Sequence, residues 1–156
     1  MTATAATTTA TTASMSASEL ERQLVVFSMH GEHYGLPIRS VREIIRYTTP
    51  KATGAANGLI QGMIVLRGHV LPVVDLSSRL GHILEINSAT RILVVEVRET
   101  AVGLIVDSVD EVLLVPADQI EPLPVTDGAL GEHIAKLGDR LITLVDAERA
   151  LGYALA

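Results

Sequence analysis

The sequence predicts an all-β fold with short helices, built by internal duplication, and three observations carry that prediction. The chain repeats itself: Tyr34-Gly35-Leu36-Pro37-Ile38-Arg39-Ser40-Val41-Arg42-Glu43-Ile44-Ile45 returns as Val102-Gly103-Leu104-Ile105-Val106-Asp107-Ser108-Val109-Asp110-Glu111-Val112-Leu113, with Gly, Leu, Ser, Val and Glu in register. A second unit, Leu71-Pro72-Val73-Val74-Asp75 through Arg79-Leu80-Gly81, is echoed by Ile142-Thr143-Leu144-Val145-Asp146 through Ala150-Leu151-Gly152. Both echoes lie roughly 70 residues downstream, a period too long for a solenoid and long enough for a small barrel. The composition is the second observation. Hydrophobic residues make up 48% but aromatics only 3%, so the core must be Val, Ile and Leu, a β-favouring mixture. Third, short apolar runs alternate with turn signals at even spacing, the pattern of strands that close into barrels. The order A–B–A′–B′ divides the 156 residues into two related subdomains sharing a core. It also supplies an internal control. Residues common to both copies are expected to hold the fold, and residues present in one copy only to carry function.

The elements follow in order. Residues 1–20, almost pure Thr, Ala and Ser up to Ser18, are expected to be a disordered tail, because small side chains bury too little area to offset ordering entropy. Residues 24–29 are a β-branched and aromatic run, His30-Gly31 supplies turn chemistry, and residues 33–38 return as a second strand. Ser40-Val41-Arg42-Glu43 has the form of a capping box. Its echo continues as Val112-Leu113-Leu114-Val115, which favours strand in both copies. Residues 47–57 read as a loop running into a helical turn near residues 55–61. Residues 63–66 and 70–74 form a hairpin turned by Arg67-Gly68-His69, and Asp75 caps a short helix ending at Gly81 as a left-handed C′ glycine. The second half repeats this. Residues 91–97 and 101–106 form a hairpin, Pro116 opens a helical turn as its first residue, and residues 121–130 are a connector. Residues 133–137 and 141–145 pair across Gly138-Asp139, and Asp146 starts a closing helix.

Charge and composition narrow the function. The formal net charge is −6 with no Lys/Arg cluster, which argues against nucleic acid as a partner. No apolar run is long enough to span a bilayer, so direct membrane insertion is not expected. The absence of Cys removes thiolate chemistry and is compatible with the cytosol. Asp75 and Asp146 would tempt an acid–base reading, but each follows a β-run and precedes a short helical pattern, so an N-cap explains both. His30-Gly31-Glu32-His33 straddles a turn and has no Cys to complete a structural zinc site, while His69, His82 and His133 are scattered. No metal or cofactor is therefore expected. Gly54, Gly58 and Gly62 lack the partners of a phosphate loop.

The copies differ where contact chemistry is expected. Arg39, Arg42 and Arg46 correspond to Asp107, Asp110 and Leu114, and Arg67-Gly68 corresponds to Gly138-Asp139. An exposed Arg beside aliphatic surface at a tight turn is a common hot spot for protein contact.

With these motifs in place, the chain resembles the CheW-like family of bacterial chemotaxis coupling proteins over residues 23–151. The resemblance rests on Leu24-Val25-Val26-Phe27, Tyr34-Gly35-Leu36-Pro37-Ile38, Val41-Arg42-Glu43-Ile44-Ile45, Gly62-Met63-Ile64-Val65-Leu66-Arg67-Gly68, Leu71-Pro72-Val73-Val74-Asp75-Leu76 and Val102-Gly103-Leu104-Ile105-Val106-Asp107, in that order. It implies two intertwined five-stranded SH3-like barrels over residues 21–156 and no catalytic activity. It also implies a cytoplasmic adaptor between the cytoplasmic tip of methyl-accepting chemoreceptors and the regulatory domain of a CheA-type histidine kinase. Val41, Glu43, Gly62, Leu66, Arg67 and Gly68 would then lie at or near partner contacts, and the strand start from Thr90 to Ile92 would line the receptor-facing groove. The sequence departs from the family at Val65, where Asn is usual and could hydrogen-bond the turn backbone. Residues 53–57 also lack the usual prolines. A coupling protein of another chemosensory pathway such as twitching motility, a piece of a kinase's own regulatory domain, and an enzyme using Asp75 or Asp146 are the competing readings.

Overall fold

The computed structural model describes residues 22–52, 60–124 and 130–152. The expected tail, the proline-poor loop and most of the expected turn at residues 55–61 lie outside the described residues, while Ile60 and Gln61 are strand. Eleven strands are described: β1 (Gln23–Met29), β2 (Glu32–Pro37), β3 (Val41–Arg46), β4 (Ile60–Leu66), β5 (His69–Val74), β6 (Arg91–Val97), β7 (Thr100–Val106), β8 (Ser108–Leu114), β9 (Ile120–Pro122), β10 (His133–Leu137) and β11 (Arg140–Leu144). Short 3-10 turns occupy Ile38–Ser40, Ser78–Leu80 and Ala117–Gln119, and one described α-helix, α1, spans Ala147–Leu151. The capping-box segment is strand, as its echo indicated. Three local expectations are corrected. The expected connector at residues 121–130 begins inside β9, because Glu121 and Pro122 pair with β10. Pro116 is the N-cap of its turn rather than its first residue. His69 is not part of the hairpin turn but opens β5, paired with Leu66.

The strands form two sheets, in the orders β8-β1-β2-β11-β10-β9 and β3-β6-β7-β5-β4. Apply the sequence repeat to the first order, without β9, and the second results. Each sheet therefore takes strands from both halves of the chain: β8 joins β1 and β2, and β3 joins β6 and β7. The halves meet at two parallel joints, Thr143 beside Tyr34 and Val73 beside Gly103. The repeated glycine lies at each joint, where its closest neighbour is a side chain of its own hairpin. A Cβ on Gly103 would lie 2.9 Å from Ile92 Cγ2, and one on Gly35 would lie 3.0 Å from Leu24 Cδ1. The bulges repeat too. Arg42 is passed over in the β3–β6 register, and its equivalent Asp110 in the β1–β8 register.

Three apolar clusters explain why the central strands read as unbroken runs: both of their faces are buried. Val25, Phe27 and Leu36 of the first sheet meet Leu93, Val95 and Leu104 of the second in a shared central core. Alternate residues point the other way. Leu24, Val26 and Ile142 fill the concave side of the first sheet, and Ile64, Leu71, Val73 and Ile92 that of the second. Phe27 stacks on its cross-strand partner Tyr34 with ring centroids 5.9 Å apart. Asp146 caps α1 by accepting from the backbone N–H groups of Glu148 (3.0 Å) and Arg149 (3.2 Å). Asp75 Oδ1 accepts from Ser77 N–H at 2.9 Å, ahead of a 3-10 turn that ends at left-handed Gly81 (φ +81°). Asp146 thus caps its helix as expected, whereas Asp75 holds the bend ahead of a 3-10 turn that begins only at Ser78, in place of the expected helix.

Candidate functional site

β3 and β4 stand at opposite ends of the second sheet, and Ile45 of one edge, with Tyr47 just beyond it, and Ile64 and Leu66 of the other enter the same cluster. The sheet curls over this cluster, as the direct contact between its two edge regions requires. Glu43 and Arg67 bridge that gap. β4 and β5 are joined by a two-residue turn in which Arg67 (φ +52°) and Gly68 (φ +81°) are both left-handed, the geometry that matches strand twist. From this turn the guanidinium reaches Glu43, with Nη2 donating to Oε1 at 2.8 Å and Nε donating to Oε2 at 3.2 Å. The hydrogen bond from Arg67 holds the Glu43 carboxyl below the usual carboxylate range. A lowered pKa contributes stability that is present above the unfolded value and lost as pH falls through the folded one. The melting-temperature difference between the native chain and Glu43→Gln should therefore be small at neutral pH and vanish on acidification through the carboxylate range. A difference that grew on acidification would contradict the pairing.

The first copy does not monopolise this clasp. Glu111, the repeat of Glu43, accepts from Arg140 Nη2 at 2.6 Å. The sequence comparison placed Gly138-Asp139 opposite Arg67-Gly68 and so read the arginine as peculiar to one copy. The structure shows the second hairpin supplying an arginine from the residue after its turn. A glutamate–arginine pair therefore recurs in both sheets, whereas the forward position of Arg67, with its side chain 72% exposed, belongs to the first copy alone.

The remaining expected contact residues fall into distinct surroundings. Leu66 and Gly68 flank Arg67, and Leu66 leans on the concave cluster. Val41 packs against the central core from the start of β3. Gly62 sits at a bulge where a Cβ would lie 2.4 Å from the Lys51 carbonyl oxygen, so its role here is to let the Lys51–Met63 bridge form. Thr90 is buried, its Oγ1 accepting from Asn87 N–H at 2.9 Å, and it lines a cleft of about 450 Å³ with Arg46, Tyr47 and Arg91. Ile92 is fully buried in the concave cluster, so its side chain does not reach that groove. Its position in an unbroken apolar run, rather than an alternating one, was the available signal.

Sequence reasoning missed an outward-facing apolar pair. Val65 and Val70 are cross-strand partners just behind the Arg67 turn, 71% and 66% exposed. The turn forms with Val65 in place of Asn, so that departure leaves turn geometry intact and puts apolar surface beside the arginine. Elsewhere, His30 stacks on His82 with ring centroids 4.2 Å apart, and His33 lies 3.8 Å from Asp110. Among the described residues no group of three or more His, Cys, Asp or Glu converges as a metal site would require.

The chain as a whole is similar to known proteins. The family model for the CheW-like domain matches residues 23–154. The chain is 34% identical over 135 residues to the chemotaxis protein CheW of Bacillus subtilis (strain 168), covering 83% of this chain and 86% of that protein. It is 34% identical over 133 residues to a probable chemotaxis protein CheW of Rhizobium etli, covering 82% of this chain and 86% of that protein. The crystal structure of the scaffolding protein TtCheW from Thermoanaerobacter tengcongensis is similar with a TM-score of 0.73 and 38% identity, over 81% of this chain and 84% of that one.

Proposed function

Because the chain belongs to the CheW-like family, we propose that it is a non-catalytic adaptor of chemotaxis signalling that couples chemoreceptors to a CheA-type histidine kinase. The observation that carries this reading is likeness along nearly the whole folded chain, in sequence and in three dimensions together. Its finer form names the cytoplasmic tip of methyl-accepting chemoreceptors and the kinase's regulatory domain as the two partners, and the cytoplasmic side of receptor arrays as the location. Among the described residues no helix is long and apolar enough to cross a membrane.

Residues 21–156 act as one coupling domain of two pseudo-repeated subdomains. The kinase-facing surface is the Arg67 turn, where exposed Val65 and Val70 supply apolar area and the Glu43–Arg67 pair a polar rim. Val41 and Gly62 shape the strands that carry this surface, and the Thr90 cleft faces the receptor. The mechanism is physical. Holding kinase and receptor on one rigid β scaffold raises their effective concentration and fixes their register. Calorimetric titration of the full chain against a kinase regulatory domain tests this, with Arg67→Ala beside it. Saturable binding is expected, weakened about tenfold or more by the substitution. The melting temperature should change by only a few degrees, as for other exposed ion pairs. A folded chain that binds no such domain would sink the kinase assignment, and unfolding by the substitution would make Arg67 structural.

A further inference from the structure

At the far end of β3, Arg46 and Arg91 stand directly opposite each other across the β3–β6 ladder. Like charges in that position destabilise a sheet. Neither guanidinium meets a carboxylate among the described residues, in a chain whose net charge is −6. The internal repeat shows that the fold does not require them. The equivalent pair in the first sheet is Gln23 opposite Leu114, one neutral polar and one apolar residue. The two arginines therefore occur in one copy only, at a position where the other copy manages without charge.

Their surroundings are built. Arg91 Nη1 donates to the carbonyl oxygens of Ser88 (2.9 Å) and Thr90 (3.0 Å), which fixes the guanidinium and leaves its other donors available. The segment supplying those carbonyls is locked by its own hydrogen bonds: Asn87 N–H to Thr90 Oγ1 at 2.9 Å and Ala89 N–H to Asn87 Oδ1 at 2.8 Å. Arg46 is exposed, and both arginines line the cleft of about 450 Å³ together with Tyr47, Asn87 and Ser88. Two adjacent guanidinium forks, one pre-set, match the planar oxygens of a carboxylate.

We propose that Arg46 and Arg91 form an oxyanion site that accepts a carboxylate side chain of the docked receptor. This rests on the reading that the Thr90 cleft faces the receptor. An acidic side chain entering the cleft would relieve the Arg–Arg repulsion as it binds, so docking and local stabilisation are coupled.

The test uses the double variant Arg46→Leu/Arg91→Gln, which imports the pair that the other copy already folds with. In the native full chain, titration with acetate should give saturable shifts of the Arg46 and Arg91 Nε–Hε resonances and of the Tyr47, Asn87 and Ser88 backbone amides, and the amide shifts should be absent in the variant. Binding of a soluble receptor cytoplasmic fragment should weaken at least about tenfold in the variant and lose much of its salt dependence. Binding of the kinase domain should be unchanged. Acetate shifts that fail to saturate, or receptor binding untouched in the folded variant, would overturn the site. Saturable acetate shifts in a chain that binds no receptor fragment would overturn the receptor carboxylate and point to a free anion, as would inorganic phosphate binding far more tightly than acetate. Loss of receptor binding to native and variant chains alike, with kinase binding intact, separates failure of the receptor reading from failure of the arginine pair.

Discussion

Phe27→Ala is expected to cost about 3–5 kcal/mol of stability, the range for deleting a large buried aromatic. Phe27 is the chain's single phenylalanine and is fully buried. Its ring fills the core shared by both sheets, against Tyr34 on its own sheet and among Val25, Leu93 and Leu104. A domain of this size has about 5–15 kcal/mol in total, so the loss should lower the melting temperature by roughly 10 °C. The central position adds a second expectation. Each sheet contains strands from both halves, and the shared core lies between them, so the two sheets should unfold together. Urea denaturation followed by circular dichroism should give a single transition for native and variant chains, with the midpoint lowered in the variant. Two resolved transitions would mean that the sheets are independent and that the shared core is weaker than its burial indicates.

The sequence carried the duplication, and with it most of the strand inventory, because the repeated motifs include the residues that the joints require. Gly35 and Gly103 are the clearest case: each sits between its hairpin partner strand and a parallel neighbour from the other half, with Leu24 or Ile92 of its own hairpin closest and Ile142 or Val73 across the joint next. Which hairpin lies on which sheet was not legible in the residues themselves. Local pattern fixes a strand and its turn, but the pairing of β2 with β11 depends on contacts more than a hundred residues apart. The intertwined arrangement came from the family resemblance instead. The site was half legible. An arginine at an exposed turn was apparent from Leu66-Arg67-Gly68, but its partner Glu43, 24 residues away, was assigned to the same surface only by resemblance. The clasp between them emerges only when the sheet curls. Thr90 and Ile92 show the opposite limit. They are two residues apart, yet Thr90 belongs to the turn before β6 and lines a cleft, whereas Ile92 lies inside the strand and is sealed in the core; where the turn ends and the strand begins was not marked in the residues.

Charge reversal at the clasp separates its two roles. Arg67→Glu places a carboxylate beside Glu43, replacing a bidentate ion pair with like-charge repulsion at the edge of the curled sheet. Binding of the kinase regulatory domain should fall by about 30-fold or more, the scale of a hot-spot residue. That loss alone is ambiguous, since a loosened turn and a missing positive charge would each produce it. The exchanged variant, Glu43→Arg with Arg67→Glu, restores opposite charges across the same gap. The Arg67 side chain is exposed and Glu43 only partly buried, so the reversed pair restores the attraction at little desolvation cost, and the melting temperature should recover most of the loss. Binding should not return, because the partner would now meet a carboxylate at the exposed tip where the guanidinium stood. Full recovery of affinity in the exchanged variant would instead reduce Arg67 to a strut that holds the turn. The contact energy would then have to come from the apolar pair behind it, Val65 and Val70. The second sheet edge gives the control. Glu111 and Arg140 make the same kind of clasp, and reversing Arg140 to Glu should lower stability to a similar degree while leaving kinase-domain binding unchanged.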